Sequence, residues 1–272
     1  MKKIINKIIK QIVCICLSLA VVLPFYMVLV NSFKTKGEAA RMSLSLPKVW
    51  MFSNYSKVIE QGRLIQGFIN SFSYSMIATT IAVIACAMAS FVVCRKRTKL
   101  NNFLYYFIIC GLFFPVNYVT LLKVLNVFHL DNTRTGIVIT FMSGMIPFCV
   151  FTIRNFILSI PVELDEAAVI DGAGPLSLFF KIITPLLKPT LVTCFILQFM
   201  GVWNDFLTPL YLSSKSKMFP MTMAVYQFFG KNTSYWNYIF ADIILTCIPV
   251  IIVYLIGQKY IVGGMTSGSV KE

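Results

Sequence analysis

ELDEAAVIDGAGPL, residues 163–176, holds four of the ten acidic residues of this 272-residue chain (Glu163, Asp165, Glu166 and Asp171). Around it the chain is 58% hydrophobic and only 12% charged, against roughly 45–50% and about 25% in ordinary soluble domains. So much apolar surface cannot be hidden in one core, and the surplus faces lipid. The quoted stretch is therefore a polar island in a polytopic membrane protein.

Working outward, six apolar runs reach the roughly 20 residues that a bilayer core demands of a helix. They lie at about 8–30, 69–94, 103–125, 136–158, 190–212 and 238–257. The expected fold is thus all-α, a single transmembrane domain over residues 1–272 with six spans, and a polar loop at 160–189. The first run is too long for a cleaved signal segment and no small-x-small site follows it, so it reads as a retained helix.

The net charge of +14 would suit nucleic acid in another chain. Here the lysines and arginines cluster at the ends of apolar runs, where they reach lipid headgroups. No nucleic-acid motif accompanies them, so membrane lipid is the expected partner. Four basic residues precede the first run (Lys2, Lys3, Lys7, Lys10) and four crowd the connection after the second (Arg95, Lys96, Arg97, Lys99). Their density beside helix ends places both termini in the cytoplasm. The connections at 31–68, 126–135 and 213–237 are then external, and the acidic island is internal. Within the first of these, a short interfacial helix is expected near 54–61, with Asn70 and Ser71 capping or opening the second span.

The eight cysteines all fall inside apolar runs without metal-ligand spacing and read as small packing or lipid-facing residues. A single histidine, His129, argues against a metal centre.

Local physics makes the island a short helix. Pro161 is tolerated where a helix begins, and acids in the first turn oppose the positive end of the helix dipole. Gly172 and Gly174-Pro175 end it. A second helical stretch over 176–187 returns to the membrane, bent by Pro185 and Pro189. On residues alone two readings stand: a solvated linker, or a knob whose alanines let another protein approach closely.

The run Glu166-Ala167-Ala168, Asp171-Gly172-Ala173, Phe179, Ile182 and Pro185 resembles the EAA loop of binding-protein-dependent ABC importer permeases. Thr184 departs from it, since leucine usually precedes that proline. Asn54-Tyr55, Asn70-Ser71, Trp203-Asn204-Asp205-Phe206 with Pro209-Leu210, and the ending Gln258-Lys259-Tyr260 through Gly264-Met265-Thr266-Ser267-Gly268 are similar to the carbohydrate, maltose-type (MalG-like) branch. The resemblance implies the type I importer permease fold in a bacterial cell membrane. It also implies a second permease subunit, an ATPase dimer and an extracytoplasmic solute-binding protein as partners. Glu166, Ala167, Ala168, Asp171 and Gly172 would couple the chain to the ATPase, with Gly264, Thr266, Ser267 and Gly268 as a secondary ATPase contact. No cofactor is expected on this chain. It has no phosphate-binding loop, because Gly230-Lys231-Asn232 lacks the earlier glycine and the hydroxyl residue; ATP and its Mg would belong to the partner ATPase.

Polar groups at membrane depth are costly and often functional. Asn117, Tyr118, Gln198, Trp203 and Asn204 combine amides with aromatic rings, as a sugar pathway requires; hydrogen bonding between helices is the competing reading. Residues Phe219, Tyr226 and Phe229 suit either contact with a solute-binding protein or anchoring at the bilayer surface. An ion- or proton-coupled secondary carrier is the alternative function, resting on Asp205 as a midplane acid. Nothing in the sequence selects one sugar.

Overall fold

The computed structural model describes the backbone of residues 2–96, 98–230 and 234–266, and side chains from residue 6 to 260 except residue 8 within those stretches. Among the described residues, five helical segments are long and apolar enough to cross a membrane: Ile9–Ser32, Leu64–Arg95, Arg134–Ile157, Pro175–Asn204 and Trp236–Tyr260. The chain divides into two compact units, Met1–Gly67 with Met221–Pro249, and Phe68–Pro220 with Val250–Glu272.

The first unit is built on α1 (Lys2–Ser32), the short α2 (Lys36–Ala39) and α3 (Ser53–Gln61). The expected interfacial helix is α3. Most of α1 exposes apolar side chains, Leu17 at 63% and Leu19 at 60% among them. Its last turn, in contrast, is locked by polar bonds. Asn54 donates to the carbonyls of Ser32 and Lys34 at 2.8 and 2.9 Å and accepts from Asn237 at 3.0 Å. Lys34, only 1% exposed, spends its three N–H donors on Asn31 Oδ1, the Ser43 carbonyl and Ser43 Oγ at 3.0, 2.7 and 3.0 Å. Full pairing is the condition on which a buried ammonium is tolerated. Phe33 packs beside Trp50, Phe52 and Tyr55, with ring centroids 5.4, 5.2 and 5.1 Å away.

The second unit holds most of α4 (Leu64–Arg95), then α5 (Lys99–Cys110), α6 (Tyr118–Val127), α7 (Arg134–Ile157), α8 (Glu163–Ile170), α9 (Pro175–Ser177), α10 (Thr184–Asn204) and α11 (Leu207–Leu212). The last helix, α12, runs Trp236–Thr266. In the core, α4 supplies Ala78, Ala82, Cys86 and Ala87, α7 supplies Met145, Cys149, Ile153 and Ile157, and α10 supplies Leu187 and Cys194. Small side chains let helices approach closely where no water drives them together. At the α4–α7 contact the helices are near enough for Ser90 Oγ to donate to the Val150 carbonyl at 3.4 Å. Cys86, Cys149 and Cys194 are buried packing thiols, whereas Cys14, Cys16 and Cys110 are exposed.

The structure differs from the sequence expectation in four places. The run at 103–125 is two helices, α5 and α6, with residues 111–117 between them. Pro115 lacks an N–H and biases the residue before it away from helix, and Asn117 Oδ1 then caps α6 by accepting from the Thr120 amide at 3.1 Å. The run at 190–212 is likewise cut after Asn204: Asp205 is extended at ψ 121° and starts α11 by accepting from the Thr208 amide at 3.0 Å. Asn70 and Ser71 do not open the second span, because α4 begins at Leu64, straight after the left-handed Arg63 (φ 50°). Asn70 instead donates to the carbonyls of Lys217 and Phe219, both at 2.9 Å, and accepts from Arg134 at 3.2 Å. Finally, the stretch entering α10 is a π-helix, Leu178–Ile183, where the missing N–H of Pro185 shifts the bonding pattern and Thr184 Oγ1 donates to the Phe179 carbonyl at 2.8 Å.

Candidate functional site

Two features of the second unit gather the residues singled out by sequence. The first is α8. Glu163, Asp165 and Glu166 occupy its first turn, where carboxylates oppose the positive end of the dipole. Its C-terminus closes in a Schellman motif: the Gly172 amide donates to the Val169 carbonyl at 3.0 Å and the Ala173 amide to the Ala168 carbonyl at 2.9 Å. Gly172 makes this possible at φ +80°, a conformation that costs other residues energy. A Cβ added there meets nothing within 4 Å. The glycine is thus called for by backbone conformation and not by any lack of space within this chain.

Asp165 and Ala168 lie three residues apart on one helix face and are 9% and 5% exposed. Asp165 pairs with Arg95 at the end of α4, Nε to Oδ2 at 2.7 Å and Nη2 to Oδ1 at 3.1 Å. The same guanidinium donates to the Ile160 carbonyl at 3.4 and 3.3 Å. Ala168 joins the unit's core, so it seats α8 on its own bundle and leaves outside contact to its neighbours. The opposite stripe, at helical spacing i, i+3, i+4 and i+7, is Glu163, Glu166, Ala167 and Ile170, all exposed. Ile170 reaches 85% exposure, and Val169 and Leu176 beside it 61% and 67%. These apolar side chains were missed by a reading centred on acids and alanines. Their spacing from Asp165 and Ala168 was the available signal.

The second feature is a cavity of about 200 Å³ walled by α6, α7, α10, α11 and both helix interruptions. Tyr118, Thr140, Gln198, Asp205 and Thr208 give it a polar lining, while Gly144 and Gly201 leave room in the walls. The Tyr118 hydroxyl lies 3.3 Å from Thr208 Oγ1, which donates to Asp205 Oδ2 at 2.7 Å. Tyr118 also stacks on Tyr211, centroids 4.5 Å apart. Non-helical backbone at membrane depth is tolerated where it is covered by protein or lines a wet cavity, and discontinuous helices border transport sites for that reason. Of the five pathway residues expected from sequence, Tyr118 and Gln198 line the cavity. Asn117 caps α6 and is exposed. Trp203 is 1% exposed, against Phe68 and Phe199 at 5.6 and 5.9 Å. Asn204 is exposed at the end of α10, outside the lining. Thr140 and Thr208 were missed because threonine in an apolar run carries no signal of its own. Of the expected secondary contact, Ser267 and Gly268 lie outside the described residues, as does the side chain of Thr266, and Gly264 is described only as helical backbone.

Residues 81–267 match the family described as binding-protein-dependent transport system inner membrane component. The chain belongs to this family. As a permease it is 32% identical, over 256 residues covering 93% of its length and 85% of the relative, to the diacetylchitobiose uptake system permease protein NgcG of Streptomyces coelicolor. It is 32% identical over 275 residues, the full length of both chains, to the probable starch degradation products transport system permease protein AmyC of Thermoanaerobacterium thermosulfurigenes. The permease fold also superposes on a chain of a bacterial ABC transporter involved in import of the acidic polysaccharide alginate, with TM-score 0.83 and 23% identity over 94% of this chain and 96% of the other.

Proposed function

We propose that this permease is one half of the membrane pathway of an ATP-driven importer of neutral carbohydrates, working beside a second permease subunit. A separate ATPase dimer binds ATP and Mg, and an extracytoplasmic solute-binding protein delivers substrate. The observation that carries the reading is α8, a short helix with acids in its first turn, fastened to α4 through Asp165 and Arg95 and offering Glu163, Glu166, Ala167 and Ile170 outward. Such a stripe suits a cleft on the ATPase, with Asp171 and the Gly172 turn at its edge. ATP binding then favours one state of the permease pair, and this requires that ATPase and loaded binding protein each bind the two states with different affinity. Gly264, Thr266, Ser267 and Gly268 are assigned as a secondary contact on the same partner. α8 and both termini are assigned to the cytoplasmic side, and the 31–68 and 213–237 connections to the outer side.

The cavity is assigned as part of the translocation path, with Tyr118, Gln198, Thr140 and Thr208 as hydrogen-bonding groups. Among the described residues, the one charged side chain in its lining is the acid Asp205, which disfavours anionic sugars and accepts from sugar hydroxyls. NgcG is named for diacetylchitobiose and AmyC for starch degradation products, both consistent with neutral glycosides. An ion-coupled secondary carrier finds no support in a binding-protein-dependent family. Reconstitution with the second permease, the ATPase and the binding protein tests the proposal. ATP-dependent uptake of a neutral oligosaccharide supports it, and uptake driven by this chain alone overturns it.

A further inference from the structure

A second cavity lies in the first unit, at the end of α3. Its volume is about 420 Å³, and Gln61, Gln227, Phe228, Tyr235 and Tyr238 line it. That volume falls within the roughly 300–1,000 Å³ of ordinary small-molecule sites. Neither carboxamide has a hydrogen-bond partner among the described residues, so both present a free donor and a free acceptor. Among the described residues, no charged side chain contributes to the wall. The nearby Lys36 ammonium is occupied over the Tyr235 ring, 3.8 Å from its centroid.

The wall is also built to hold its shape. The Tyr235 amide donates to the Phe228 carbonyl at 3.0 Å, and the Tyr238 amide to the Tyr235 carbonyl at 2.9 Å. The two tyrosine rings lie parallel within 9° at 5.6 Å, and Phe228 meets Tyr238 edge-on at 5.6 Å. Gly62 lets Phe228 close on the end of α3: a Cβ there would stand 3.2 Å from the phenylalanine ring. This contact brings Gln61 beside Gln227.

We propose that this cavity is a binding site for one or two rings of a neutral oligosaccharide. Vicinal hydroxyls each donate and accept, which matches paired amides and phenols; the C–H face of a sugar ring matches an aromatic wall. The described wall supplies amides, phenols and rings but no cation of its own to pair with a phosphate or carboxylate, so neutral sugars are the expected class. The site rests on the importer reading above, under which both connections that form it are external, and it would receive substrate before entry to the path.

The complete transporter in lipid nanodiscs, without its binding protein, is titrated with raffinose, maltotriose and a galacturonic acid trisaccharide, reading saturation-transfer difference signals. The two neutral sugars give signals, the acidic one does not, and Q61A/Q227A lowers the neutral-sugar affinity by about tenfold, as loss of two neutral hydrogen bonds implies. Signals unchanged in Q61A/Q227A, or abolished only by Q198A, overturn the site, as does equal binding of the acidic sugar. Wild-type uptake is measured separately. ATP-driven uptake together with sugar signals unaffected in Q61A/Q227A sinks only this inference, whereas signals lost in Q61A/Q227A but no ATP-driven uptake by the wild type sink the importer reading and leave the site standing.

Discussion

Asp165 Oδ2 lies 2.7 Å from Arg95 Nε, so one acid of the polar island is committed to holding the island in place. The other three, Glu163, Glu166 and Asp171, are exposed. Charge in this short segment therefore has two uses, attachment and presentation. Replacing Arg95 with alanine strands the Asp165 carboxylate, whose side chain taken alone is 13% exposed, at a cost of about 1–3 kcal/mol for an unpaired, partly buried charge. The remaining solvent access places the loss at the lower end of that range. R95A should lower thermal stability only slightly while uncoupling ATP hydrolysis from substrate; full substrate-stimulated hydrolysis in this variant would show that the attachment is dispensable.

Gly172 offers a sharper test, because conformation and space can be separated there. With φ at +80° and nothing within 4 Å of an added Cβ, Gly172→Asn should be tolerated better than Gly172→Ala. Alanine should cost about 1 kcal/mol in the left-handed region, and valine more. If transport falls in the order of side-chain size, with asparagine worse than alanine, then clash with a partner and not backbone strain governs the position.

Gln198 and Trp203 sit on the same helix and should fail differently. Gln198→Ala removes a polar group from the cavity and should reduce sugar uptake with the melting temperature unchanged. Trp203→Ala empties a fully buried site and should cost about 3–5 kcal/mol, visible first as loss of folded protein. A Gln198→Ala variant with normal uptake kinetics would return Gln198 to helix packing.

Lys34 predicts a pH dependence. Burial pulls its ammonium below the ordinary lysine value of 10.5, with Glu38 pulling weakly the other way. The folded state therefore binds fewer protons than the unfolded state between the lowered value and 10.5. Stability contributed at this site rises with pH across that window. Lys34→Met should flatten the rise in melting temperature measured from pH 8 to above 10; an unaltered slope would assign it to other groups.

The long apolar helices were legible because composition and run length alone force them. The end of α8 was legible too, since glycine after an alanine-rich turn has few other uses. What could not be read was continuity. Pro115 and Asp205 each cut an apolar run that hydropathy treats as unbroken, because hydropathy averages over the single residue that withdraws or captures a backbone donor. The Trp-Asn-Asp-Phe stretch suggested a pathway by its polarity. Folded, Trp203 is core, Asn204 is exposed, and Asp205 starts the next helix. Inside and outside within α8 were also concealed, as Asp165 looks like its acidic neighbours until Arg95 is placed beside it.

The pairing of Asp165 with Arg95 has a mechanical side. Arg95 ends α4, a helix of 32 residues, and at 1.5 Å per residue that is a rod about 48 Å long. Toward the other end of the same rod, Asn70 and Tyr74 hold the carbonyls of Lys217, Met218 and Phe219. A rotation of about 5° applied at the Arg95 end displaces the far end by about 4 Å over that length. A push on α8 would thus be carried, with no intermediate joint in α4, to the loop between α11 and residue 220: the longest helix among the described residues has an acid for its handle.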